Sequence, residues 1–132
     1  MEIWKWMRGD KQNIIVDLTF EFAKLIIKYC QELEHRRQFL LMNQLFKSGT
    51  SIGANVREAQ NAESKNDFIH KMKIGAKEAD ETEYWLMLCK ASPNFPNCDD
   101  LIDKVQTIIG VLSKIIATSK SSPNLQISKS SN

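Results

Sequence analysis

Two segments of this chain carry side chains in a metal-binding arrangement. Glu32-Leu-Glu-His35 and Asp67-Phe-Ile-His70 each set a carboxylate three residues before a histidine. On a helix that spacing turns both groups to one face, and di-metal sites in helical bundles use such a pair twice. The first pair falls at the end of one expected helix and the second at the start of another, at opposite ends of an up-down-up-down bundle. They are too far apart to share an ion, so we expect no metal and no cofactor. Neither histidine has a cysteine or serine at a spacing that suggests a nucleophile, and no glycine-rich phosphate loop precedes a helix. We expect no enzyme.

A second chemistry is phosphate binding, which needs clustered Lys and Arg, with exposed aromatics added for single strands. Arg36, Arg37, Lys47 and Arg57 are candidates for a basic patch, and Lys5, Arg8 and Lys11 extend it if the N-terminus folds nearby. Trp4 and Trp6 could stack on bases. They could equally dock against the bundle, a neighbouring subunit or a partner protein, since their alternation with Lys5 puts both rings on one side of an extended segment. The formal net charge of +2 does not by itself announce nucleic-acid binding.

These side chains need elements to hold them. A chain of 132 residues is one domain in size, and 42% hydrophobic with 26% charged residues is ordinary globular composition. Three cysteines, odd in number and without Cys-x-x-Cys spacing, read as reduced thiols. No apolar run is long enough to span a bilayer, and the start lacks the apolar core of a secretory signal. A soluble cytoplasmic chain is expected.

Helical spacing of apolar residues predicts four helices, at about 11–35, 37–62, 64–91 and 99–118, in a single domain over residues 1–118. Ile15, Leu18, Phe22, Leu25 or Ile26, and Tyr29 mark the first. Phe68, Met72, Gly75, Ala79, Thr82, Leu86 and Cys89 mark the third, behind a capping box at Ser64 to Asp67. Leu101, Val105, Ile108, Leu112 and Ile115 give the fourth a clean heptad. Pro93 and Pro96 force a loop between them. Residues 119–132, rich in Ser and Lys with little to bury, are expected as a disordered tail. Four such helices pack most simply as an all-α, antiparallel, up-down-up-down bundle.

The second helix is the least conventional. Leu41, Leu45, Ser48, Ile52, Asn55 and Ala59 step by four and three, which sets Ser48 and Asn55 on the inward stripe. Asn55 should then find a partner on helix 3, with Glu81 and Glu83 as candidates, Arg57 and Glu58 at the edge of the network, and Thr82 in the seam itself. Gly49 and Gly53 lie one turn apart on an adjoining row, each costing a helix interior roughly 1 kcal/mol relative to Ala. A close approach by another helix or a second subunit would offset that cost. Helix 3 is polarised, with Lys65, His70, Lys71, Lys73 and Lys77 in its first half and Glu78, Asp80, Glu81 and Glu83 in its second. That order gains nothing from the helix dipole; pairing between protomers of a head-to-tail ring, or local pairs such as Lys77 with Glu81, would account for it.

The segment Ser51-Ile-Gly-Ala-Asn-Val-Arg-Glu58 resembles the Ser-Ile-x-x-Asn-Ile-x-Glu signature of the small four-helix-bundle proteins encoded within intervening sequences of bacterial 23S rRNA genes. Asp67-Phe and Glu81-Thr-Glu-Tyr-Trp-Leu86 are similar to the third-helix pattern of the same family. The resemblance covers roughly residues 13 to 116. It implies a signature at Ser51, Asn55, Glu58, Glu81 and Glu83, a homo-oligomer in the form of a five-membered ring, no enzymatic activity, and an RNA-associated role. The accessory proteins of diversity-generating retroelements form a related branch that binds nucleic acid through a strongly basic surface; this chain departs from them in being nearly neutral. The competing expectation is a structural homo-oligomer that docks a protein partner without nucleic acid.

Overall fold

The periodic runs fold as helices because their apolar rows meet around one core. In the structure, a computed structural model that describes residues 13–121, the elements are α1 (Ile14–His35), α2 (Phe39–Ala59), α3 (Lys65–Ala91) and α4 (Asp99–Lys120), with no strand among the described residues. Each helix lies against the next in the chain, and α4 returns to α1. Phe22, Ile26, Leu45, Ile52, Phe68, Met72, Leu86, Ile108 and Leu112 fill the space between them. The all-α architecture and its single core follow from these contacts.

The turns account for where the helices stop. The amide of Gln38 donates to Leu33 O at 2.8 Å and that of Arg37 to Glu34 O at 2.9 Å, while Arg37 takes φ 62°. This double bond with a left-handed residue is a Schellman end, and a left-handed residue cannot sit inside a helix. So α2 begins at Phe39 rather than near Arg37. At its other end, amides 60 to 62 bond three residues back, to Arg57, Glu58 and Ala59, tightening the last turn and closing α2 before Ala62. Ser64 Oγ accepts the amide of Asp67 at 3.0 Å and caps α3.

Helix α4 runs two residues past the expected end at 118, because Ser119 is fully buried and carries its turn into the bundle. The loop between α3 and α4 is tied to α1: the Tyr29 hydroxyl donates to Pro96 O at 2.8 Å and Arg36 Nη1 donates to Asn94 O at 3.0 Å. Asn13 Nδ2 donates to Gln60 Oε1 at 2.8 Å, which sets the start of α1 beside the end of α2. No helix among the described residues is long and apolar enough to cross a membrane.

Candidate functional site

The glycine row of α2 sits where the sequence puts it, against α1. A Cβ at Gly49 would come within 2.9 Å of both Ile26 Cγ1 and Cγ2, and one at Gly53 within 3.3 Å of the Thr19 carbonyl oxygen. Only a missing side chain lets the two helices approach this closely. Seen from outside, the same closeness makes a groove. Val16, Thr19, Phe20 and Ala23 of α1 face Thr50, Gly53, Ala54 and Arg57 of α2 across a space of about 210 Å³. A second, separate space of about 310 Å³ is lined by Ile27, Cys30, Gln31, Glu34, Met42, Asn43 and Phe46 of the same two helices.

Large apolar side chains along these spaces are left in solvent: Phe20 is 55% exposed, Ile27 39% and Phe46 49%. Ile14, Phe39 and Leu40 add exposed apolar surface at the ends of the two helices. The other such pair lies on the outward side of α3, where Tyr84 is 59% and Met87 49% exposed. Scattered apolar residues on a surface mean little; grouped on one face beside a groove, they make that face the candidate site. Nothing in either space converges as an acid and base would, and the two lie below or at the low end of the roughly 300–1,000 Å³ of small-molecule sites.

The signature residues do not form one network. Ser48 is buried, and its Oγ lies 2.9 Å from Oγ1 of Thr82, which also reaches Glu78 O at 2.8 Å. Thr82 has one proton for two acceptors; where it goes to Glu78 O, the Ser48 hydroxyl can donate to Thr82 Oγ1 instead. Asn55, expected to be buried with a carboxylate partner on α3, is half-buried, and its Nδ2 donates to Ser51 O of its own helix at 2.8 Å. The inward row runs Ile52, Val56, Ala59, which turns Asn55 to the flank. Thr82 holds the inward position of α3, so the carboxylates on either side of it are rotated outward. Glu81 is exposed, and Glu83 accepts from Gln106 Nε2 of α4 at 3.0 Å. Ser51 Oγ donates to Lys47 O at 2.6 Å, and Glu58 pairs with Lys71 at 3.1 Å.

The four basic candidates are likewise not brought together. Arg36 and Arg37 sit at the turn after α1, where Arg36 shares a face with Lys28 and His35. Lys47 is on the α3 side of α2, close enough to Glu78 to pull against the rise that burial gives that carboxyl. Arg57 lines the apolar groove, on the α1 side. Trp4 and Trp6 lie outside the described residues, as does the tail beyond Ser121.

The thiols of Cys30, Cys89 and Cys98 are buried, and desolvation pushes those of Cys30 and Cys89 from 9.0 up to about 11, away from the thiolate a nucleophile needs. Among the described residues no three His, Cys, Asp or Glu side chains converge to hold a metal ion.

The family model described as 23S rRNA-intervening sequence protein matches residues 11–114. A solved structure of a protein of unknown function from the S23 ribosomal protein family of Bacteroides thetaiotaomicron is similar at TM-score 0.76 and 38% identity, covering 80% of this chain and 96% of that one. No curated protein matches the chain.

Proposed function

The chain belongs to the 23S rRNA-intervening sequence protein family, and from that premise we propose that it is a non-enzymatic, self-associating helical scaffold whose copies meet through the outward α1–α2 face. The observation that carries this reading is the set of large apolar side chains left in solvent on that face, Phe20 beside a space lined by Gly53 and Ala54, and Ile27 and Phe46 beside a second space with Met42. Burying one such ring or branched side chain stabilises by about 1.5–3 kcal/mol, so leaving three exposed in a monomer is a cost that assembly removes.

The end-to-end pairings of Asn13 with Gln60, Glu58 with Lys71, and Lys90 with Asp99 support an antiparallel, up-down-up-down course. Closure into a five-membered ring is the assembly the resemblance implies, in a cytoplasmic setting that suits three unpaired thiols. The test is the mass in solution of the wild type and of Phe20→Glu and Phe46→Glu. A multimer that falls to monomers in both variants, with helix content unchanged, supports the scaffold; a wild type monomeric up to high concentration removes it.

A second reading, RNA association, is favoured by the exposed cations at the α1–α2 turn. Arg37 holds a left-handed backbone conformation that glycine would adopt at less cost, next in the chain to Arg36, which shares a face with Lys28, His35 and the carboxylate Glu32. Titration of structured RNA across a salt series tests it: affinity that falls steeply with salt and is lost in the Arg36→Ala/Arg37→Ala variant supports contacts to phosphates. Salt-independent or absent binding rejects them.

A further inference from the structure

The exposed residues on α1–α2 leave the groove open in a single chain, and the outward face of α3 has the shape, spacing and charge to fill it. We propose that the groove receives the Tyr84–Met87 ridge of a second copy of this chain, with Glu81 of that copy meeting Arg57 at the groove's end. The inference rests on the self-association reading above and adds to it which surface meets which.

Shape comes first. Gly53 and Ala54 carry no bulk, so the groove floor is low, while Phe20 rises at its edge. A ridge of two large side chains one turn apart fits such a slot, as ridges of one helix fill grooves of another. Tyr84 and Met87 make that ridge, and they are the large apolar side chains exposed on α3.

Spacing agrees along the axis. On α2, three residues separate Arg57 from Ala54 and seven separate it from Thr50, about 4.5 and 10.5 Å of helix rise. On α3, three residues separate Glu81 from Tyr84 and six separate it from Met87, about 4.5 and 9 Å. With Glu81 opposite Arg57, Tyr84 therefore lands beside Ala54 and Phe20, and Met87 near Thr50 and Ala23.

Charge selects this register. Arg57 and Glu81 are both exposed, and no ion pair among the described residues uses either; Lys71, Lys90, Lys24 and Lys104 take the carboxylates that are paired. A guanidinium at the rim of an apolar slot and a carboxylate one turn before an apolar ridge are complementary across an interface. Groove and ridge are different surfaces of one protomer, so the contact is heterologous and propagates from copy to copy until it closes.

The experiment is a charge swap in the full-length chain, read as subunit mass and as the concentration at which assemblies dissociate. Arg57→Glu and Glu81→Arg should each weaken association by about tenfold or more, and the combined variant should recover most of the loss. Both positions are on the surface, so circular dichroism should show unchanged helix in all variants. If Phe20→Glu disperses the assembly while the swap residues are silent, or if the combined variant adds the losses of the single ones, the ridge is not the occupant although self-association stands. Loss of assembly on Trp4→Ala/Trp6→Ala with the swap silent would assign the groove to the N-terminal segment and overturn the proposal. A wild type that never associates sinks both readings.

Discussion

The α1–α2 seam and the α3–α4 seam are built from opposite materials. Between α3 and α4 the outer rim is polar and already partnered: Lys90 pairs with Asp99 at 3.1 Å, Gln106 donates to Glu83 at 3.0 Å, and Lys104 answers Asp100 within its own helix at 3.3 Å. Between α1 and α2 the rim is Phe20, Ile27 and Phe46, and the charge beside it, Arg57, has no partner in an ion pair among the described residues. One seam has its rim groups paired within the chain, and the other leaves large apolar side chains in solvent. The difference teaches that a glycine row can serve two ends at once: Gly49 and Gly53 let α1 and α2 approach, and Gly53 also lines the groove on the solvent side.

The sharpest way to break the comparison is to fill the glycine row. Gly49→Leu drives a side chain into Ile26, which is fully buried and branched at Cβ, so neither its position nor its χ1 can give cheaply. We expect a loss of about 2–3 kcal/mol in urea unfolding, together with weaker assembly as the groove is reshaped. Wild-type stability in that variant would mean the seam is looser than its geometry and that the glycines have no structural role.

The α2–α3 seam lies between these extremes, since its centre is one polar pair sealed in the core. Thr82→Val keeps the shape of the side chain but leaves Ser48 buried without its partner across the seam, and should cost about 1–2 kcal/mol. Adding Ser48→Ala should then cost less than the sum of the separate changes, because the orphaned hydroxyl is gone. Strict additivity in this cycle would show that the two hydroxyls do not act as a pair.

How much of this was legible follows from what periodicity can and cannot encode. The inward row of α3 (Phe68, Met72, Gly75, Ala79, Thr82, Leu86, Cys89) and the heptad of α4 are buried as their spacing requires. The spacing places Ser48 and Thr82 both in seams, but it offers the α3 carboxylates Glu81 and Glu83 as partners of Asn55 and does not pair the two hydroxyls that meet. Periodicity gives the direction of a side chain to within a third of a turn, and Glu81 and Glu83 flank Thr82 by about 100° on either side. The same tolerance put Asn55 inward, when Val56 holds that place. The groove face has its own signal in the sequence, distinct from the core periodicity: Phe20 to Ile27 and Phe39 to Phe46 each repeat at seven, a second apolar stripe beside the core stripe. A helix that packs only in a core needs one apolar stripe, and the second on α1 and α2 is the one left in solvent. The turn at Arg37 had no signal to find, because its left-handed conformation falls on a residue type that rarely adopts it.

The smallest expected effect sharpens the comparison from the finished side. Gly110 lies on the outer face of α4, and a Cβ there would meet nothing within 4 Å. It gives no close approach to offset its helix cost, so Gly110→Ala should stabilise the protein by about 0.5–1 kcal/mol and leave assembly unchanged. The same residue type is thus expected to have opposite signs of effect in α2 and in α4, for reasons that are geometric rather than intrinsic. If Gly110→Ala instead weakened assembly at unchanged or improved stability, open space beside Gly110 in one protomer would be contact surface in the assembled protein. The α4 face would then join the groove and the α3 ridge as a surface that a second copy must cover.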